Sequence, residues 1–191
     1  MKKVKRTIFI VIIMTFLAGA AFSTFKYLNI EIFKSGGSGG SVMEEKSAEP
    51  DSKQTYENNV FGFSFRYPLG FKIIEIPEDL GTTILAEKSG TRESFQIFIS
   101  EFDEPGPITE ERIKKDLPDI VMENSLEVLI GEGKTIRALI FFVEDAALGK
   151  TREVWFVWPD DPSVAGNYLY QITTYPEMDN LIGPILDTLK F

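Results

Sequence analysis

The chain has 191 residues, with 20 Lys and Arg against 29 Asp and Glu, a formal net charge of −9, and neither Cys nor His. The lack of these two residue types excludes disulfides, thiolate nucleophiles, Ser-His-Asp triads and zinc sites built on Cys or His. A hydrophobic content of 43% is typical of a globular rather than a disordered chain.

The charge is divided unevenly along the chain. Residues 1–34 carry a net charge of +5, residues 35–53 carry −2, and residues 54–191 carry −12. Because so acidic a domain is repelled by phosphate backbones, we expect no nucleic-acid partner.

Residues 1–34 have the pattern of a membrane anchor. Four basic residues precede the uncharged segment 7–25, which as a helix would be roughly 28 Å long and close to the ~30 Å of a hydrocarbon core. The position of the basic residues predicts a cytoplasmic N-terminus and a domain outside the cytoplasmic membrane. Residues 26–34 mix Lys with aromatic and aliphatic residues, as in an interfacial flank.

A cleaved signal peptide is the alternative interpretation of the same segment. Ala18, Gly19 and Ala20 form a small-residue pattern that permits cleavage before Ala21. The domain would then be secreted rather than anchored.

A polar segment at 35–54 predicts a flexible linker that is rich in Gly, Ser and acidic residues. Its root-mean-square span is on the order of 25 Å. An anchored domain would therefore stay close to its membrane.

Residues 55–191 form the predicted domain, in which strand patterns dominate. Alternation and apolar runs between turn residues predict strands at 61–67, 71–76, 82–87, 94–102, 126–130, 136–143, 154–158 and 168–173.

Two helices are predicted as covers for this sheet. One begins at the N-cap Thr109 and ends before Pro118; the other runs from Pro176 to Leu189, with a bend at Gly183. These elements predict an α+β fold, a mainly antiparallel sheet sandwiched by helices and preceded by one transmembrane helix.

Two segments of the domain resemble the PsbP-like family. They are residues 56–68 (YENNVFGFSFRYP) and the closing segment 175–191, from Tyr175-Pro176 to ILDTLKF. The resemblance implies the fold that this family shares with a Ran-binding nuclear import factor. It also implies a non-enzymatic binding or assembly module.

Motifs for nucleotide binding and for serine hydrolysis are incomplete. The Gly-Lys-Thr triplets at 133–135 and 149–151 lack the earlier glycine of a phosphate-binding loop. Ser64 lacks both the second glycine of a nucleophile elbow and a histidine base. The acidic clusters match no calcium-loop spacing, so we expect no catalytic residue, cofactor or metal site.

A possible binding surface combines aromatic residues of two strands with carboxylates of the loop 159–167. Such aromatics can form a recognition surface, and they can equally belong to the core. The residues are Trp155, Trp158, Tyr168, Tyr170, Asp160 and Asp161.

The sequence therefore predicts a membrane-anchored, extracytoplasmic binding or assembly module with a protein partner near the membrane. A binder of a small ligand or lipid of the cell envelope is the alternative. A carboxylate-dependent envelope hydrolase is a third interpretation.

Overall fold

The computed structural model describes residues 53–145, 148–161, 163 and 166–191. Nine strands lie in these ranges. They are β1 (Lys53–Asn58), β2 (Phe63–Pro68), β3 (Phe71–Glu78), β4 (Gly81–Lys88), β5 (Ser94–Glu101), β6 (Glu123–Ile130), β7 (Ile136–Asp145), β8 (Gly149–Trp158) and β9 (Tyr168–Thr174).

The strands form two sheets. Seven of them pair in the order β3-β4-β5-β9-β8-β7-β6, and every neighbouring pair is antiparallel. Strands β1 and β2 form a separate antiparallel hairpin. The prediction of a mainly antiparallel sheet is thus confirmed.

The two helices are too short to cover the sheet in the way an α+β sandwich requires. The helix α1 covers Glu110–Asp116, and α2 covers Asp179–Leu186 after a 3-10 turn at Pro176–Met178. The predicted sandwich of helices around the sheet is therefore wrong, and the fold is β-rich.

The β1-β2 hairpin takes the place of helices over one face of the large sheet. Phe65 lies 6.0 Å from Phe95 of β5, and Phe63 lies 5.5 Å from Tyr170 of β9, between ring centroids. We call the covered side the core face. Side chains of α2 join the same hydrophobic core; they are Ile182, Ile185 and Leu186.

Residues beyond α2 are tied to the hairpin by hydrogen bonds. Ser64 and Lys190 exchange two backbone hydrogen bonds of 2.9 and 3.0 Å, and the Arg66 amide donates to Thr188 Oγ1 at 2.8 Å. The helix predicted to reach Leu189 ends at Leu186, and the chain then runs alongside β2.

The opposite side of the large sheet, which we call the far face, is also largely buried. Phe98, Phe141, Trp155 and Val157 are all buried there. Strands β7 and β8 are accordingly apolar on both faces, as their sequences predict.

Within the described ranges, no helix has the length and apolar character needed to cross a membrane. The segment 7–25, to which the sequence assigns a transmembrane helix, lies outside them, as do the flank 26–34 and most of the linker. Strand β1 begins at Lys53, so the last two residues assigned to the linker already belong to the hairpin.

Candidate binding surface

Three of the predicted site residues meet at one end of the core face. Trp158 closes β8 and lies directly opposite Tyr168, which opens β9. Tyr170 lies opposite Phe156, and their rings stack with a centroid distance of 4.8 Å and an interplanar angle of 3°. Residues opposite each other in an antiparallel pair share a face, so all these rings lie on the core face.

The turn of the β1-β2 hairpin brings a further ring to this end. Asn58 Oδ1 accepts hydrogen bonds from the amides of Val60 and Phe61 at 3.0 and 2.9 Å, which fixes the turn. Phe61 then packs edge-on against Tyr168 with centroids 5.2 Å apart. Val60 beside it is 82% exposed.

Phe191 covers the other side of the cluster. Its ring lies 4.7 Å from Trp158 and 5.3 Å from Tyr170, between centroids, and it is 36% exposed. We call the resulting cluster of rings the aromatic end. Its members are Phe61, Trp158, Tyr168, Tyr170 and Phe191.

Two acidic residues are neighbours of members of the aromatic end, one in the sheet and one in the chain. Glu101, at the end of β5, is exposed and lies opposite Tyr168. Asp160 follows Trp158 by two residues and is half-buried. Among the described residues, neither carboxylate forms an ion pair.

Asp161 has a local role in its loop. Its Oδ1 accepts hydrogen bonds from the Ser163 hydroxyl at 2.7 Å and the Ser163 amide at 2.8 Å. These hydrogen bonds lower the pKa of Asp161 because they favour its charged form. The carboxylate therefore stabilises the turn that follows the aromatic end.

Tyr170 is the buried floor of the aromatic end rather than part of its surface. The residue is 1% exposed, and its hydroxyl has no hydrogen-bond partner within the described part of the chain. Burial, and secondarily the neighbouring Tyr168, raise the pKa of Tyr170, so the phenol stays neutral at physiological pH. A buried hydroxyl without a partner is unusual, since most such groups are satisfied.

Trp155 does not belong to this surface. It lies opposite Gln171 and Leu139 on the far face, where it is 5% exposed. Its indole Nε1 donates to Glu153 Oε2 at 3.1 Å. For this residue the core interpretation is right.

Glu153 is a buried carboxyl that the sequence did not single out. It is 3% exposed and accepts hydrogen bonds from the hydroxyls of Thr151 and Thr173, each at 2.8 Å, in addition to the indole of Trp155. Burial raises the pKa of Glu153 to about 7, although the three hydrogen bonds lower it. Glu153 is the only acidic residue in the otherwise largely apolar segment 151–158, and this isolation is the sequence feature that could have identified it as a buried carboxyl.

The arrangement at the aromatic end is suited to binding rather than to proton transfer. Partly exposed rings give contact area at a low cost in conformational entropy, and the two neighbouring carboxylates give charge selectivity. No group of three or more Asp or Glu that could hold a metal ion occurs among the residues that the structure describes.

Sequence reasoning missed three contributors to this surface. Phe61 was predicted to lie within a strand, but it lies in the hairpin turn. Phe191 and Glu101 were assigned no role in the site. A period-two pattern gives the face of each strand residue, but it does not say which strands are neighbours.

No protein-family model and no curated protein matches the chain. Its structure is similar to the solution structure of cyanobacterial PsbP (CyanoP) from Synechocystis sp. PCC 6803, with a TM-score of 0.46 and 13% sequence identity. The similarity covers 81% of this chain and 97% of that chain.

Proposed function

We propose that the protein is a membrane-anchored, non-enzymatic module that binds a protein partner outside the cytoplasm through its aromatic end. The single observation that carries this proposal is the group of partly exposed rings held by two sheets. Aromatic residues are enriched among the residues that contribute most to protein interfaces.

The position at which the linker enters the domain supports the same assignment. Strand β1 runs from Lys53 to Asn58, and the turn that presents Phe61 follows Asn58. At about 3.3 Å per residue, five steps place the two ends of β1 roughly 17 Å apart. The linker therefore enters at the end of the hairpin that is remote from the aromatic end.

The anchor rests on the basic residues before segment 7–25 and on its apolar character. A linker of about 18 residues, 35–52, would have a root-mean-square span on the order of 25 Å and would hold the domain close to its membrane. This restriction raises the effective concentration of a partner in the same membrane.

Site-specific photo-crosslinking in intact cells tests the proposal. A photo-reactive phenylalanine analogue replaces Val60, which is exposed at the aromatic end. In the matched control the analogue replaces Glu144, an exposed residue near the end of β7 that lies far from the aromatic end. We expect one recurrent membrane or envelope protein to crosslink at position 60 and not at 144. The yield should fall when the domain is exported without residues 1–34.

Identical adducts at both positions, or no adduct at position 60, would contradict docking through the aromatic end. Failure of external protease to reach the domain in intact cells would contradict the proposed topology.

Binding of a small ligand or lipid is the second candidate function, favoured by the Tyr170 hydroxyl. This hydroxyl is a buried donor without an acceptor among the described residues, and a ligand oxygen would satisfy it. Native mass spectrometry of the full-length protein purified from membranes would detect such a ligand. A bound mass that Tyr170→Phe removes would support this function over protein docking.

A further inference from the structure

Arg and Lys side chains lie over aromatic rings elsewhere in the described domain, but not at the aromatic end. Arg112 lies 4.9 Å from the ring centroid of Phe102, and Arg152 lies 3.9 Å from that of Phe142. Among the described residues, no Lys or Arg lies over a ring of the aromatic end. The rings there thus keep the negative potential of their faces.

An acidic residue lies next to these rings on the sheet. Glu101, Tyr168 and Trp158 occupy neighbouring positions on three adjacent strands. With strands about 4.8 Å apart, the Cα atoms of Glu101 and Trp158 are roughly 10 Å apart. Asp160 follows Trp158 by two residues in the chain, and neither Glu101 nor Asp160 forms an ion pair within the described part of the chain.

A third observation concerns the hydroxyl group beneath these rings. The buried Tyr170 hydroxyl has no acceptor among the described residues, and its ring packs directly beneath Phe191. A peptide carbonyl supplies the missing acceptor, whereas an ammonium group alone does not.

We propose that the aromatic end binds a basic segment of a partner protein, with an Arg or Lys side chain over the rings of Trp158 and Phe191 and a second basic residue at Glu101 or Asp160. An extended chain advances about 3.3 Å per residue. A separation of roughly 10 Å therefore selects basic residues about three positions apart. The net charge of −12 on residues 54–191 attracts such a segment from a distance.

This inference rests on the proposed function, since it names the chemistry of the partner at the same surface. The test uses the purified full-length protein and a fluorescent twelve-residue Ser/Gly peptide with Arg at every third position. The comparison peptide carries Gln at those positions. Fluorescence anisotropy measures the dissociation constant of each.

We expect the Arg peptide to bind and the Gln peptide to bind at least tenfold more weakly. Glu101→Gln and Asp160→Asn should each weaken binding of the Arg peptide by about three- to tenfold, in line with single charge and cation–π contributions. The matched control Glu144→Gln removes an exposed charge at the opposite end of the sheet and should leave the dissociation constant unchanged.

Three outcomes would overturn the inference. They are failure of the Arg peptide to bind, equal weakening by Glu144→Gln, and selective binding of phosphatidylcholine vesicles in place of the peptide. The last would assign the surface to a quaternary ammonium of lipid.

The failure of this inference is distinguishable from that of the proposed function. If the double variant Glu101→Gln, Asp160→Asn still crosslinks its partner at position 60 in cells, the aromatic end docks a protein by other chemistry. Loss of the crosslink in the double variant, with circular dichroism unchanged, would support both proposals.

Discussion

At the scale of single residues, Glu153 gives the domain a pH-dependent stability. Burial opposes its ionised form more than the hydrogen bonds from Trp155, Thr173 and Thr151 favour it, and its pKa lies near 7. In an unfolded chain the pKa of Glu is about 4.3. The folded state therefore binds more protons than the unfolded state between about pH 4.5 and pH 7, and stability falls as pH rises through this window.

Glu153→Gln should remove this slope. At about 1.4 kcal/mol per pH unit, ionisation of Glu153 costs on the order of 3 kcal/mol above pH 7. We expect the free energy of unfolding in urea to fall less between pH 5 and pH 8 in the variant than in the wild type. Glu144→Gln, on an exposed carboxylate, should keep the wild-type slope, and an equal slope in all three proteins would contradict the assignment to Glu153.

Tyr170→Phe removes a hydroxyl that has no partner among the described residues and retains the ring that stacks on Phe156. Because an unsatisfied buried hydroxyl costs about 1–3 kcal/mol, we expect the free energy of unfolding to rise by about 1 kcal/mol. Tyr56→Phe is the control, since its hydroxyl donates to Glu75 at 2.6 Å and accepts from Asn58 at 2.9 Å. That variant should be destabilised; a loss of stability in Tyr170→Phe would show that its hydroxyl has a partner.

At the scale of elements, two glycines distinguish a close strand contact from open helix surface. A Cβ at Gly81 would lie 2.2 Å from the carbonyl oxygen of Ile99 and 2.9 Å from the Phe98 ring, whereas a Cβ at Gly183 in α2 meets nothing within 4 Å. The start of β4 therefore tolerates no side chain beside β5.

Gly81→Ala should lower the free energy of unfolding by about 3 kcal/mol, because backbone must move to admit the methyl group. Gly183→Ala should raise it by about 0.5–1 kcal/mol, since alanine loses less conformational entropy in a helix. Urea unfolding of both variants provides the comparison. Similar changes of the same sign would contradict the packing at Gly81.

The strands and helices also differ in how well the sequence predicts them. Alternation predicted β2, where one face is buried, and apolar runs between turn residues predicted β7 and β8, which are apolar on both faces. Strand β1 was missed since its residues, KQTYEN, are nearly all polar and four of the six are exposed. The helix predicted from the N-cap Thr109 to before Pro118 is confirmed as α1. The last helix was overestimated because an apolar spacing of three and four continues in 186–189, where the chain instead hydrogen-bonds along β2.

The candidate surface could be predicted in part for a similar reason. Trp155 and Trp158 are three residues apart, and in a strand this spacing places them on opposite faces. The split between them is therefore readable from the sequence. The approach of Phe61 and Phe191 depends on how the hairpin and the segment after α2 lie on the sheet, which no local pattern encodes.

At the scale of the whole molecule, we expect repulsion among acidic groups to outweigh the attraction of ion pairs. Residues 54–191 contain 24 acidic against 12 basic residues. The ion pairs of the described residues involve mostly exposed partners, such as Lys114 with Glu110 and Lys190 with Glu132, and such pairs contribute little. Self-repulsion at this net charge destabilises a compact state.

Added NaCl should therefore stabilise the domain. The Debye length falls from roughly 20 Å at 20 mM salt to about 4 Å at 0.5 M, which screens long-range repulsion, and we expect the melting temperature of the full-length protein to rise by about 3–5 °C.

Exchanging three exposed acids without ion-pair partners in the described chain, Glu111→Lys, Asp119→Lys and Glu144→Lys, adds two charge units each and brings residues 54–191 from −12 to −6. Because repulsion scales with the square of net charge, this variant should melt higher at low salt and gain less from NaCl. A melting temperature that falls with NaCl in the wild type would show that the ion pairs dominate instead.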